Sequence, residues 1–298
     1  MATTPLPEEK PSGKVLPPPI YFMAGTATLR DGDHSHFVWD ARVVHPFIAG
    51  HSLPMIVKAV ASPVTLAVEV ACGLAAKELR LNVPIPGLVV AEREDLQDID
   101  DDLIGKRLLL VGSHYQRPDA LFVQAMQNNQ AAEDMVWERL CATSVARQGA
   151  AWDELIANPD RHCENVLFDG TTWWLFDHDQ ALAPAASYAR HEAEISARQD
   201  AIAHNAKVNL LVNELLRRYA GQQQSIMEQS KRLDSGRRRL LVLATYARSW
   251  THPDAEIQAV LELIGIVLGL IHLRLPALAE KLQSRVGPPR NNNSSLWI

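Results

Sequence analysis

The chain is poor in cysteine. Three in 298 residues, Cys72, Cys141 and Cys163, stand too far apart for a C-x-x-C pair or a zinc framework. So low and odd a count fits a reducing compartment, and the expected location is the cytoplasm. A basic excess is also lacking. Twenty-nine Lys and Arg against 35 Asp and Glu give a net charge of −6, which argues against general affinity for nucleic acid or an anionic membrane. The start, Met-Ala-Thr-Thr-Pro followed by Glu8, Glu9 and Lys10, has neither the basic residues nor the apolar run of a secretion signal. No long apolar stretch is unbroken. The longest, Ile257 to Leu275, is interrupted by Glu262, His272 and Arg274 and reads as a buried helix. Internal repeats are absent as well.

What is present divides into two textures. Residues 1–19, with Pro5, Pro7, Pro11 and Pro17-Pro18-Pro19, read as a disordered Pro-rich tail, and 287–298 as a second. From 20 to 112 the runs Tyr21–Leu29, Phe37–Val44, Met55–Val60, Gly87–Ala91 and Arg107–Val111 are strand-like. One helix, Val64–Leu79, interrupts them and is stopped by Pro84 and Pro86. The order β-β-β-α-β-β predicts an antiparallel sheet carrying one helix. From 113 to 286 the chain reads helical: Ala120–Asn128, Ala131–Gln148, Ser187–Arg218, Gln223–Leu233 and Ala255–Leu282. A strand-rich island, Asn165–Phe176, lies among them with a turn at Asp169-Gly170. Gly112 to Pro118 is the expected hinge between the two parts.

The chemistry concentrates around that island. Asn158-Pro159-Asp160-Arg161-His162-Cys163-Glu164-Asn165 leads into it, and Asp177-His178-Asp179 follows it. Phosphoryl transfer needs a carboxylate to orient or deprotonate the attacking hydroxyl, and oxygen ligands to hold magnesium against phosphates. The residue order offers Asp160 as base, with Asn165 and Asp177 as metal ligands at the two ends of a rigid hairpin. Either piece alone is an ordinary polar turn; the two joined by apolar strands suggest a site.

Asp-Arg-His-x-x-Asn, a hairpin and then Asp resembles the HipA-like kinases of the protein-kinase-like superfamily, of which this chain looks like a compact, stand-alone member. Met55-Ile56-Val57-Lys58 looks like the strand that bears that family's ATP-contacting lysine. Glu69, ahead of Leu74-Ala75-Ala76-Lys77-Glu78-Leu79 and Val83-Pro84, looks like its helix. The resemblance covers roughly residues 20–185. It implies a two-lobed α+β kinase-like fold, with an antiparallel sheet lobe and a mostly helical lobe, and it implies ATP and magnesium as cofactors. Lys58 would contact the α- and β-phosphates and pair with Glu69, in preference to Glu78. Asp160, Asn165 and Asp177 would be catalytic. The γ-phosphate would pass to a hydroxyl, as on Ser or Thr of a protein.

Two departures qualify the pattern. The phosphate loop Arg30-Asp31-Gly32-Asp33-His34-Ser35 has one glycine and two acids, although Gly32 to Ser35 could still offer backbone N–H groups to a nucleotide. His178-Asp179 follows Asp177 where many kinases have Phe-Gly; Asp179 reads as a loop acid in preference to a second metal ligand. Rival readings are a small-molecule or lipid kinase, whose acid-to-amide spacing is the same, and a nucleotide-binding regulator that no longer transfers phosphate. Lys231, Arg232, Arg237, Arg238 and Arg239 form a basic cluster, read as a solvated helix face or as a docking site for an acidic or phosphorylated partner.

Overall fold

The computed structural model describes residues 17–30, 37–46, 52–97, 107–120, 122–123, 130–182 and 195–287. The fold is mixed α+β. Strands β1 (Ile20–Met23), β2 (Thr28–Leu29), β3 (Val38–Val44), β4 (Ser52–Lys58), β5 (Pro86–Glu92) and β6 (Arg107–His114) form one sheet in the order β1-β5-β6-β4-β3-β2. The expectation of a wholly antiparallel sheet needs correction. β1 runs parallel to β5, with Tyr21 opposite Val89, because the chain crosses over through α1 between them. β1 also pairs with β3, at Phe22↔Val44, so five strands close into a ring. The run expected as one strand, Tyr21–Leu29, breaks at Gly25, whose φ is +105°. β1 and β2 stay on the same edge of β3, and the break frees β1 to reach β5.

Alternation fills the ring. Trp39, Val43, Met55, Val57, Val89 and Leu110 point inward as a separate apolar cluster. Gly112, expected at the start of a hinge, lies inside β6. A Cβ there would stand 2.5 Å from Val89 Cγ2 and 2.9 Å from the Met55 sulfur. The glycine is needed for packing inside the ring, and the strand continues to His114.

Helix α1 (Pro63–Glu78) begins where Ser62 accepts the N–H of Thr65, with Pro63 in the first turn. It lies on β5, but packs most extensively against the long helix Ala255–Arg274. Its apolar face therefore belongs to a second cluster, one that runs from Leu88 and Val90 of β5 through the helices.

The helical part is more divided than its periodicity predicts. The stretch expected as one helix over 131–148 is two, α2 (Gln130–Cys141) and α3 (Ser144–Leu155), separated at Thr143. Thr143 turns its N–H and its hydroxyl back to the carbonyl of Leu140. Of the expected helix 187–218, the described residues give α4 (Ile195–Ala203) and α5 (Leu210–Arg218), with Asn209 capping α5 by accepting the N–H of Val212. Then come α6 (Gln222–Asp234) and α7 (Arg237–Ala247), the latter not anticipated as a helix. The long C-terminal helix divides into α8 (Ala255–Arg274), a 3₁₀ turn at Leu275–Ala277 and α9 (Leu278–Val286), because Pro276 cannot continue α8. By length and composition this last segment could cross a membrane. Here α8 packs against α1, α7 and α4 and buries Ile257, Leu261, Ile264, Leu268 and Ile271. The expected helix 120–128 and both tails lie largely outside the described residues.

The hairpin is as expected. β7 (Val166–Phe168) and β8 (Trp173–Leu175) pair antiparallel, and the turn uses Gly170 at φ +94°. Asp169 fixes the turn by accepting the N–H groups of Thr171 and Thr172 and the indole N–H of Trp174.

Candidate active site

Three elements far apart in sequence meet at one point. Lys58, the last residue of β4, places Nζ 2.6 Å from Asp177 Oδ1 and 3.4 Å from Asp179 Oδ2, across 119 and 121 residues of chain. Glu69, buried in α1, accepts the backbone N–H of His178 through Oε2, and its Oε1 lies 3.8 Å from His178 Nδ1. One strand, one helix and the segment after β8 thus converge on a lysine and three carboxylates.

The electrostatics follow from that crowding. Burial opposes the charge on Lys58, yet Glu69, Asp177 and Asp179 outweigh it and raise the ammonium pKa above the usual lysine range. Burial pushes Glu69 upward, but the charge of Lys58 and the hydrogen bond with His178 hold its pKa at about 2. Asp177 goes the other way. Burial and the charge of Glu69 raise it despite the bond from Lys58. The two carboxyls compete for one cation, and Glu69 holds its negative charge more tightly. Asp177 also sits in a left-handed backbone at φ +59°, a conformation that costs a non-glycine residue about 1–3 kcal/mol. The surrounding contacts must hold it there.

A buried arginine supplies much of that hold. Arg161 has no exposed surface. Its Nε and Nη2 bond both carboxylate oxygens of Asp153 in α3, at 3.2 and 3.0 Å. Its Nη1 reaches the carbonyl of Asn165 at 3.0 Å and that of Phe176. One guanidinium therefore ties α3 to the residue before β7 and to the residue before Asp177. Asn158 completes the knot, donating to Asp153 Oδ1 and accepting the N–H of Asp160. The sequence reading assigned no role to Asp153, Asn158 or Arg161. A fully buried arginine is uncommon, and nothing local distinguishes it from a solvated one.

The remaining candidates fall around this knot. Asn165 is buried, its Nδ2 bonds the carbonyl of Asp160 at 2.7 Å, and its own carbonyl accepts the N–H of Phe176. The side chain of Asp160 is half exposed. Gly32 and Ser35 lie outside the described residues. Asp179 is nearly buried and bonds Lys58, so it is no solvated loop acid. His178, standing where a phenylalanine was the precedent, is buried edge-on to Trp152 at 6.1 Å between centroids. Its Nε2 and the Trp152 Nε1 have no partner among the described residues. Cys163 is not activated: burial first, then the charges of Glu133 and Glu164, push its thiol up to about 11.

No group of three His, Cys, Asp or Glu side chains able to hold a metal occurs among the described residues. Magnesium does not require one. It binds through one or two carboxylates and completes its shell with substrate phosphates and water. The residues present fit that use. Asn165 spends its Nδ2 on Asp160 and keeps Oδ1, while the Asp177 carboxylate, about a third exposed, bonds Lys58 through Oδ1 and keeps Oδ2.

No family model matches the chain, and no curated protein matches it. Among solved structures it is similar to the Helicobacter pylori proinflammatory kinase CtkA, at 12% identity and a TM-score of 0.45, over 85% of this chain and 97% of that one. A likeness of that order leaves the roles of individual residues to their own geometry.

Proposed function

We propose that the chain is a kinase-like phosphotransferase that passes the γ-phosphate of ATP to a hydroxyl, on Ser or Thr of a protein, as the HipA-like resemblance suggests. The supporting observation is the convergence of Lys58, Glu69, Asp177 and Asp179 at the open end of a hairpin whose first strand is preceded by Asp160 and Asn165. Here the sheet with α1 would form one lobe and the remaining helices the other, with the nucleotide between them.

In this reading Lys58 binds the phosphates, and Glu69 keeps it charged from behind. Magnesium, when bound, supplies the positive charge that offsets the phosphate oxygens, and Asp177 with Asn165 would hold it. Asp160 accepts the proton of the acceptor hydroxyl; its exposed carboxylate is held near Asn165 through its own backbone. Arg161 keeps the two ends of the hairpin in register, so that base and metal ligands approach one substrate together. Preorganisation of this kind is most of what phosphoryl transfer asks of a protein.

The test is the rate of transfer. Asp160→Asn keeps the side-chain shape and removes the proton acceptor, so nucleotide affinity should persist while single-turnover transfer falls on the order of 10²–10⁴-fold. Label from γ-labelled ATP should appear on protein in a cell lysate. Label on a small molecule instead would favour a metabolite or lipid kinase. Nucleotide binding without any transfer, in wild type as in Asp160→Asn, would favour a regulator.

A further inference from the structure

Seven of the 29 basic residues of this acidic chain are gathered in one place, away from the acid cluster. Three helix ends meet there. The C-terminal end of α1 brings Lys77 and Arg80, that of α6 brings Lys231 and Arg232, and the N-terminal end of α7 brings Arg237, Arg238 and Arg239. The junction is tight: Arg232 reaches the carbonyl of Arg80, Arg239 bonds the carbonyl of Glu78 at 2.9 Å, and Gly236 lies against the Leu79 side chain. Those bonds go to backbone carbonyls, and with only Glu78 and Asp234 interspersed at these helix ends the patch keeps a positive excess. None of the seven cations makes an ion pair with a carboxylate among the described residues, and all but Arg239 are exposed. Three arginines at the positive end of α7 also work against the helix dipole. Beside them, one turn on, Leu241 and Val242 are exposed at 48% and 39% on the same side of α7 as Arg237 and Arg238.

We infer that this surface is a docking site for an acidic protein segment that carries one or two aliphatic side chains. Charge complementarity selects an anionic partner. The net charge of −6 does not prevent it, because fields fade over a Debye length of about 8 Å at physiological salt, and a short segment feels only the local patch. A polyanion longer than the patch would meet the acidic remainder of the surface. The apolar component is an aliphatic pair, too small to insert into a bilayer as an amphipathic helix does. Nor does it offer the stacking aromatics that single-stranded nucleic acid uses, since Trp250 is buried and Tyr246 half buried. Along α1 the patch stands about 12–17 Å from Glu69, at ~1.5 Å per residue. A segment held there would leave a following stretch of chain within reach of the acid cluster, which serves the proposed function but is not needed for binding.

The experiment uses the full chain and two fluorescein-labelled twelve-residue peptides, one of alternating Glu-Glu-Leu character and one of Glu and Ser. Anisotropy titrations at 50 and 200 mM NaCl give the affinities. The Leu-bearing peptide should bind more tightly, and binding should weaken as salt rises. Arg237→Glu with Arg238→Glu should weaken it at least tenfold. The control Arg139→Glu with Lys207→Glu, equal in charge change and also exposed, should alter it less than twofold. Leu241→Ser with Val242→Ser should abolish the preference for the Leu-bearing peptide and spare the residual binding. Arg237→Gln with Arg238→Gln repeats the first test without introducing acids, and a matching far-ultraviolet dichroism spectrum shows the fold is kept. The inference is overturned by absence of saturable binding at millimolar peptide, by equal losses in the control pair, or by binding of phosphatidylserine vesicles or single-stranded RNA with none of the peptide.

Discussion

Arg161→Met removes the buried guanidinium while keeping much of its stem, and it tests whether one residue fixes both ends of the hairpin. Arg161 and Asp153 have no exposed surface. The substitution leaves a carboxylate buried with, among the described residues, only the Asn158 amide as a partner, and takes a donor from the carbonyls of Asn165 and Phe176. Breaking a buried pair from one side costs about 3–5 kcal/mol, because the remaining charge keeps its desolvation penalty. Against a total of about 5–15 kcal/mol for a folded protein, that brings unfolding well within reach of moderate urea. The companion change Asp153→Asn removes the orphaned charge and keeps an acceptor for the Asn158 amide. The double substitution should therefore recover about 2 kcal/mol of what Arg161→Met loses. Urea unfolding at pH 7, followed by far-ultraviolet dichroism, measures all four corners of the cycle. A loss below about 1 kcal/mol in Arg161→Met, or a double variant no better than the sum of the singles, would show that the knot does not hold this corner together. Conversely, a double variant that is stable yet slow in single-turnover transfer would show that the guanidinium positions the hairpin ends beyond neutralising Asp153.

Three other outcomes follow from the geometry. Lys58→Met takes away the cation that Asp177 and Asp179 bond, so the already raised Asp177 should rise further. A carboxyl raised in the folded state costs stability as pH climbs through its folded value, so the variant should be less stable at pH 7 than at pH 4, relative to wild type; equal differences at both would refute this. Glu69 is displaced the opposite way, with a folded pKa of about 2 against an ordinary 4.5, so its contribution is full above pH 4.5 and lost as pH falls through 2. Wild type should exceed Glu69→Gln by an amount that shrinks on the order of 3 kcal/mol across that window, and parallel pH curves would count against the assignment. In Gly73→Ala the new Cβ would stand 2.8 Å from the ring of Pro86, which should cost about 1–3 kcal/mol by pushing α1 off β5. Helix propensity favours alanine by about 1 kcal/mol, so a variant as stable as wild type would mean that the contact relaxes freely.

Local patterns revealed what was local. The hairpin, its Asp169-Gly170 turn and the strands on either side of α1 were legible because alternation, turn residues and the stop signals Pro84 and Pro86 act within a few positions. The break at Thr143 and the one at Pro276 also had their signals, but the apolar period ran through both and outweighed them. Helix α7 was hidden for the converse reason. Three arginines at its head mask an apolar repeat of Leu240, Leu243, Ala244 and Ala247 that needs α8 to give it meaning. Ring closure could not be read at all, since pairing of β1 with β5 and β3 depends on partners separated by tens of residues and on a glycine that frees the turn. The site divides in the same way. Asp160, Asn165 and Asp177 were visible as the ends of one hairpin. The family resemblance pairs Lys58 with Glu69; its bond to Asp177, across 119 residues, has its basis only in the fold. Asp179 and Arg161 show the limit most clearly. The local pattern makes the first a loop acid and gives the second no role, yet the first is nearly buried on the lysine and the second wholly buried in the knot. A charged side chain takes its meaning from the partner that justifies its burial, and that partner lies elsewhere in the chain.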